Sequence, residues 1–194
     1  MHTYTARMLR IVVCTFVLLV VNANQSHAES LIRIRTESTY LQSVLSEASS
    51  RSPTLRALAR KIDASNVIAY VTCESFSSRL LAGRTFLGQT SDKARYVRVQ
   101  VDCMLPRMNL IAILGHELQH VAEIAAAADV VDSQSFARLF RTIGYLTCAG
   151  RSSPEKFETD GALEAGERVR EDYLRGWPVG ARVVANTGSG VPLQ

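Results

Sequence analysis

Aromatic residues are scarce in this chain, at 7% of 194 positions, with a single tryptophan, and proline and glycine number only 5 and 11. That poverty excludes collagen-like and low-complexity architectures, and no internal repeat points to a solenoid. With 47% hydrophobic and 21% charged residues, the chain has the composition of one ordinary globular domain. No polybasic block stands beside a cluster of base-stacking aromatics, so nothing argues for a nucleic-acid partner. Long apolar runs are also absent apart from one near the N-terminus.

That run, Ile11 to Val21, follows Arg7 and Arg10 and precedes Ser26-His27-Ala28, a small-x-small site. Residues Met1 to Ala28 therefore read as a secretory signal cleaved near Ala28, placing the mature protein outside the cytoplasm, secreted or periplasmic. Eleven apolar residues fall short of the roughly 20 a membrane helix needs, which makes an uncleaved anchor the lesser alternative. The formal charge of +4 then shrinks, because the signal carries two arginines and no acids. What remains is 20 basic against 18 acidic residues. Cys73, Cys103 and Cys148 survive cleavage and allow one internal disulfide. Cys73 with Cys103 is the favoured pair because both end strand-like segments; three reduced, buried thiols are the alternative.

The domain should span residues 29 to 175, followed by a Gly- and Pro-containing tail, 176 to 194. Helices are expected over Thr39–Ala48 and over Pro53–Ile62, the second with Ser52 as N-cap and Pro53 at its first position. Asn66–Cys73 reads as a strand, and Arg84–Gln89 with Ala94–Asp102 as a hairpin. The second arm alternates, with Val97, Val99 and Val101 on one face and Tyr96, Arg98, Gln100 and Asp102 on the other. Pro106 opens a long apolar helix to Ala127. Asp132 or Ser133 caps a short helix ended by Gly144, and a loop carrying Cys148, Gly150 and Ser152 leads to a last helix over Pro154–Leu174.

Inside the long helix stands Gly115-His116-Glu117-Leu118-Gln119-His120, an HExxH pattern. Two imidazoles four residues apart on one helix face are spaced to share a metal ion, and the adjacent Glu117 is placed to take a proton from water activated there. Zinc is the metal this pattern suits. The structural alternative, ordinary helical histidines with a solvated Glu117, conflicts with the apolar neighbours Ile111, Ile113, Leu114 and Leu118, which predict burial.

The remaining histidines, His2 and His27, lie in the signal, so His116 and His120 are the only two in the mature chain. A third histidine ligand is thereby excluded, and a carboxylate should complete the site. Glu158 is the first candidate. On the expected last helix it shares a stripe with Ala162, Ala165 and Val169, the small face turned to the core, whereas Asp160, Glu164, Glu167 and Glu171 share the charged face. The alternative is a first-turn residue stabilised by the helix dipole. Glu123 is the rival ligand, but its Cα lies about 10.5 Å along the axis from that of His116, which suits it better to a supporting role beside the site. Asp160 is a minor candidate.

GHELQH followed by a downstream FETDGALEAG resembles the zincin metallopeptidases, in particular the gluzincin arrangement of two HExxH histidines and a later Glu. It is also similar to small secreted bacterial HExxH metallopeptidases that combine RYVRV-type strands, GHELQH and FET in this order. The resemblance spans Ser65 to Arg175. It implies an α+β fold with a small antiparallel or mixed sheet packed on the HExxH helix, a peptide or protein substrate, and an edge strand above that helix that binds an extended peptide by strand addition. By chain order Ala94–Asp102 would be that strand. No NExxSD-type motif surrounds Glu158, and Tyr145, Tyr173 or an arginine is left to stabilise an oxyanion. A secreted binding or scaffold protein that keeps the metal site without turnover is the alternative function.

Overall fold

The structure, a computed structural model, describes residues 31–77, 81–148 and 156–176. The segment expected to be a signal, Gly150, Ser152, Pro154 and all of the tail after Gly176 lie outside the described residues. In chain order the elements are β1 (Ile34–Arg35), α1 (Thr39–Arg51), α2 (Pro53–Asp63), β2 (Val67–Cys73), β3 (Gly83–Thr90), β4 (Arg95–Val101), α3 (Arg107–Ala126), α4 (Ser133–Ile143), β5 (Tyr145–Cys148), β6 (Lys156–Glu158) and α5 (Asp160–Arg175). This is a mixed α+β fold.

One sheet has the order β1-β2-β4-β3, with β1, β2 and β4 parallel and β3 antiparallel to β4. The alternation of β4 does what it predicts: Val97, Val99 and Val101 are fully buried, in register with Ala69, Val71 and Cys73 of β2. This inner face receives the helices. β4 is not the edge strand, however, because it bonds to β2 on one side and β3 on the other. The hairpin return places β3 outermost.

Against the inner face lies α3, whose Leu110, Ile111, Leu114, Leu118, Val121 and Ile124 are all fully buried. Each contributes roughly 1.5–3 kcal/mol of hydrophobic burial. The other side of α3 packs on α5 through the expected stripe of Ala162, Ala165 and Val169. The two helices meet closely. A Cβ on Gly115 would come within 2.7 Å of Val169 Cγ2, so a larger residue would push α5 away.

Polar contacts pin both ends of α3. Arg107 pairs with Glu47 of α1 at 2.6 Å, and Glu47 also accepts from the Tyr173 hydroxyl of α5 at 2.6 Å. At the far end the buried guanidinium of Arg95 donates to the carbonyls of Ile124 (2.9 Å), Ala127 (2.6 Å) and Val130 (3.3 Å), while its Nε donates to Asn66 Oδ1. It adds donors to carbonyls at and just beyond the helix end, where Ile124 and Ala127 otherwise accept only one bond each, from the amides of Ala127 and Val130 at 3.2 Å. Cys73 and Cys103 form the expected disulfide, Cα–Cα 5.4 Å, which ties the end of β2 to the turn before α3. No helix among the described residues is long and apolar enough to cross a membrane.

The caps explain the shorter helices. Ser52 Oγ accepts from Leu55 N, as expected, and donates to Asp172 Oδ2 of α5. Asp132 and Ser135 form a reciprocal capping box on α4. The last helix departs from expectation: Thr159, not a residue beside Pro154, is its N-cap, and Lys156–Glu158 pairs as a strand with Tyr145–Cys148. Pro at a helical first position is favoured only where the following residues are free to coil, and here they are taken up by a hairpin.

Removing Arg95 takes the guanidinium donors from these carbonyls at the end of α3 and leaves Ile124 and Ala127 with one backbone donor each at 3.2 Å. Arg95→Met should lower unfolding free energy by about 3 kcal/mol, read as a fall in the urea midpoint at unchanged slope. A shift below 0.5 kcal/mol would show that water replaces the guanidinium.

Candidate metal centre

α3 presents His116 and His120 on the face turned toward α5 and β6. The two rings lie 5.0 Å apart, nearly perpendicular. Glu158 reaches both from the end of β6, with Oε2 3.3 Å from His116 Nε2 and Oε1 3.5 Å from His120 Nε2. The correction to its setting matters. Glu158 is not on the helical stripe with Ala162; it sits one residue before the N-cap, where a strand delivers it to α3. The Thr159 amide donates to its Oε1 at 2.8 Å.

One nitrogen from each histidine and one Glu158 oxygen lie within 4.8 Å of one another, a group that could hold a metal ion. Ligands placed tetrahedrally about 2.0–2.1 Å from a central ion are separated by roughly 3.3 Å, close to the two nitrogen–oxygen distances found here. The donor set of two imidazoles and one carboxylate fits that use, and among the described residues no fourth side chain joins it.

Glu123 is not in this group. Its Oε2 accepts from His120 Nδ1 at 2.9 Å, and its Oε1 accepts from Gln119 Nε2 and from Thr159 Oγ1 at 3.1 and 2.8 Å. It thus holds the proton of His120 on Nδ1 and turns Nε2 toward Glu158, the supporting role expected from its place on the helix. Asp160 is exposed on the first turn of α5 and takes no part. Tyr173 is buried and committed to Glu47, away from the histidines. Tyr145 is the cross-strand partner of Glu158 in the β5–β6 pair, so the two side chains stand on one face of that ribbon.

Glu117 is buried at 4% exposure, on the side of α3 facing the sheet. Thr85 of β3 donates to its Oε2 at 2.7 Å, and Gly83 of the same strand leaves room for the other oxygen: a Cβ there would lie 2.5 Å from Oε1. Thr85, Gly83 and Thr159 escaped the sequence reading. Only Thr159 left a local sign, a Thr followed by an Asp at the start of a helix. Phe140 closes the group below, 5.4 Å from the His120 ring and edge-on to it.

Burial raises the pKa of Glu117, an effect that the nearby histidines only partly offset. Burial acts the same way on Glu158, but its hydrogen bonds with both histidines hold it well below the usual carboxylate range. For His120 burial works against the charged form, yet the bonds to Glu123 and Glu158 carry its pKa up to about 9. Three carboxylates facing two imidazoles draw in positive charge, whether as protons or as a cation.

A metal accepts only neutral imidazole, so below about pH 9 binding must expel the His120 proton. Zinc binding at pH 7.5 should release about one proton, measured by calorimetry in two buffers of different ionisation enthalpy, and affinity should rise by about tenfold per pH unit until His120 is neutral. Release of no proton would mean that His120 is already neutral. Glu123→Ala should weaken zinc binding by about 10–100-fold, and Glu158→Ala by at least as much. Compared with known proteins, the chain matches no family model, no curated protein and no solved structure.

Proposed function

We propose that this protein is a zinc-dependent hydrolase of peptide bonds. The observation that carries the reading is the position of Glu117: one residue from His116, buried, and held by an edge strand beside a group of donors suited to a metal. His116, His120 and Glu158 would hold the ion. When bound, zinc polarises a carbonyl and lowers the pKa of water to about 7.

The chain's own groups then have distinct tasks. Glu117 takes the proton from water and passes it to the leaving amine, and the burial that raises its pKa makes it a stronger proton acceptor than a solvated carboxylate. Thr85 holds the carboxylate in place through one oxygen and leaves the other to act. Tyr145, the cross-strand partner of Glu158, would be the donor to a developing oxyanion. The antiparallel edge strand beside the HExxH helix supports the zincin-like reading, with β3 in the role that chain order had suggested for β4. Export with removal of the signal suits the Cys73–Cys103 disulfide, since such bonds persist in oxidising compartments.

Glu117→Gln tests the mechanism. Zinc content should stay near one per chain while cleavage of a peptide library falls by about 100-fold or more. Retained cleavage would eliminate Glu117 as the base, and failure of the folded, zinc-loaded parent on every peptide would favour a binding protein without turnover.

A further inference from the structure

The outer face of the four-stranded sheet, opposite the helices, carries a pattern that no segment of sequence displays. Arg35, Tyr70, Arg98 and Phe86 are successive cross-strand partners, one from each strand, forming a row that alternates guanidinium and ring. Next to it Arg84 extends over Phe76 and Phe86, 5.6 and 5.8 Å from their ring centres, and its Nε donates to Gln100. Arg35, Arg84 and Arg98 are exposed, and among the described residues none of the three forms an ion pair with a carboxylate. Glu74, just after β2, accepts from Gln100, the residue to which Arg84 donates. Neighbouring strands are about 4.8 Å apart, so Arg35 and Arg98 stand roughly 10 Å from one another with Tyr70 between.

The same strand that contributes Arg84 and Phe86 outward contributes Gly83 and Thr85 inward, to Glu117. Its second edge has no partner strand among the described residues. A chain added along that edge would alternate in the same way. Side chains beside Gly83 and Thr85 would turn toward α3 and the metal-binding group. Those beside Arg84 and Phe86 would turn onto the outer face, where unpaired guanidinium forks match carboxylates in shape and charge. We infer that the substrate is an extended acidic polypeptide, selected by Arg84, with Arg98 one strand behind it, through Asp or Glu side chains at the positions that face away from α3.

The inference rests on the peptidase reading for its chemistry but not for its recognition, and binding separates the two. Zinc-loaded Glu117→Gln protein would be titrated into fluorescein-labelled ten-residue peptides that carry Glu, Gln or Lys at alternate positions, with anisotropy as the readout. The Glu peptide should bind at least about fivefold more tightly than the Lys peptide at low ionic strength, as expected for a few exposed opposite-charge contacts, and added salt should narrow the gap. Adding Arg84→Glu with Arg98→Glu should reverse the preference, and Arg84→Gln should reduce it without placing two new acids beside one another on the sheet. Equal binding of the three peptides, no binding of any, or a preference unchanged in the arginine variants would overturn the inference. So would tighter binding of an oligothymidylate of equal charge, which would mark the face as a phosphate surface. Parent protein that cleaves Glu and Lys libraries equally would sink acidic selection and leave the peptidase reading standing. Selective binding of the Glu peptide without cleavage of any library would do the reverse.

Discussion

Three carboxylates, Glu117, Glu123 and Glu158, gather around two imidazoles in the middle of a helix whose other neighbours are apolar. Charges removed from water cost several kcal/mol each unless other groups compensate them. The local structure can be understood as the set of partners that makes this gathering tolerable. Thr85 serves Glu117, Gln119 and Thr159 serve Glu123, and the Thr159 amide serves Glu158. One N-cap thus supports two carboxylates while also starting α5, and each imidazole meets at least one carboxylate oxygen.

Such a cluster keeps its geometry only if its frame does not move. α3 is held at its start by Arg107, Glu47 and Tyr173, at its end by Arg95, and in the turn before it by the Cys73–Cys103 disulfide. Along its length the sheet lies on one side and α5 on the other, so close that Gly115 has no space for a side chain. Ligands on rigid, packed elements stay within the fraction of an ångström that metal binding and proton transfer demand. The edge strand joins the two halves of the proposed activity: inward it positions Glu117, and outward it offers Arg84, which has no carboxylate partner among the described residues.

Much of this was legible because local rules acted without competition. The alternation of β4 matched a half-buried strand, Ser52 and Asp132 capped the helices they precede, and Leu110 to Ile124 repeated with the period of a buried helix. HExxH was readable because both histidines and the glutamate belong to one helix, whose geometry follows from spacing alone. Two readings failed for a common cause. Glu158 was assigned to a helix beginning at Pro154, and β4 to the sheet edge, because both questions turn on pairing between segments far apart in sequence. Lys156–Glu158 has no strong local preference until Tyr145–Cys148 lies beside it, and a hairpin's chain order does not say which arm faces outward.

By itself the sequence determined helices α1 to α4, strands β2 to β4, the favoured disulfide and the pair of histidines with Glu117, since helical period, capping chemistry and a residue count of two need no distant partner. Only the tertiary structure decided that Glu123 orients His120 instead of joining the donor group, that Glu158 arrives from a strand, and that Thr85 and Gly83 frame Glu117. It alone also set arginines from β1, β3 and β4 on one face of the sheet. The reason is physical: a charge or a ligand atom acts over a few ångströms of space, and in a folded chain those ångströms are spanned by residues dozens of positions apart.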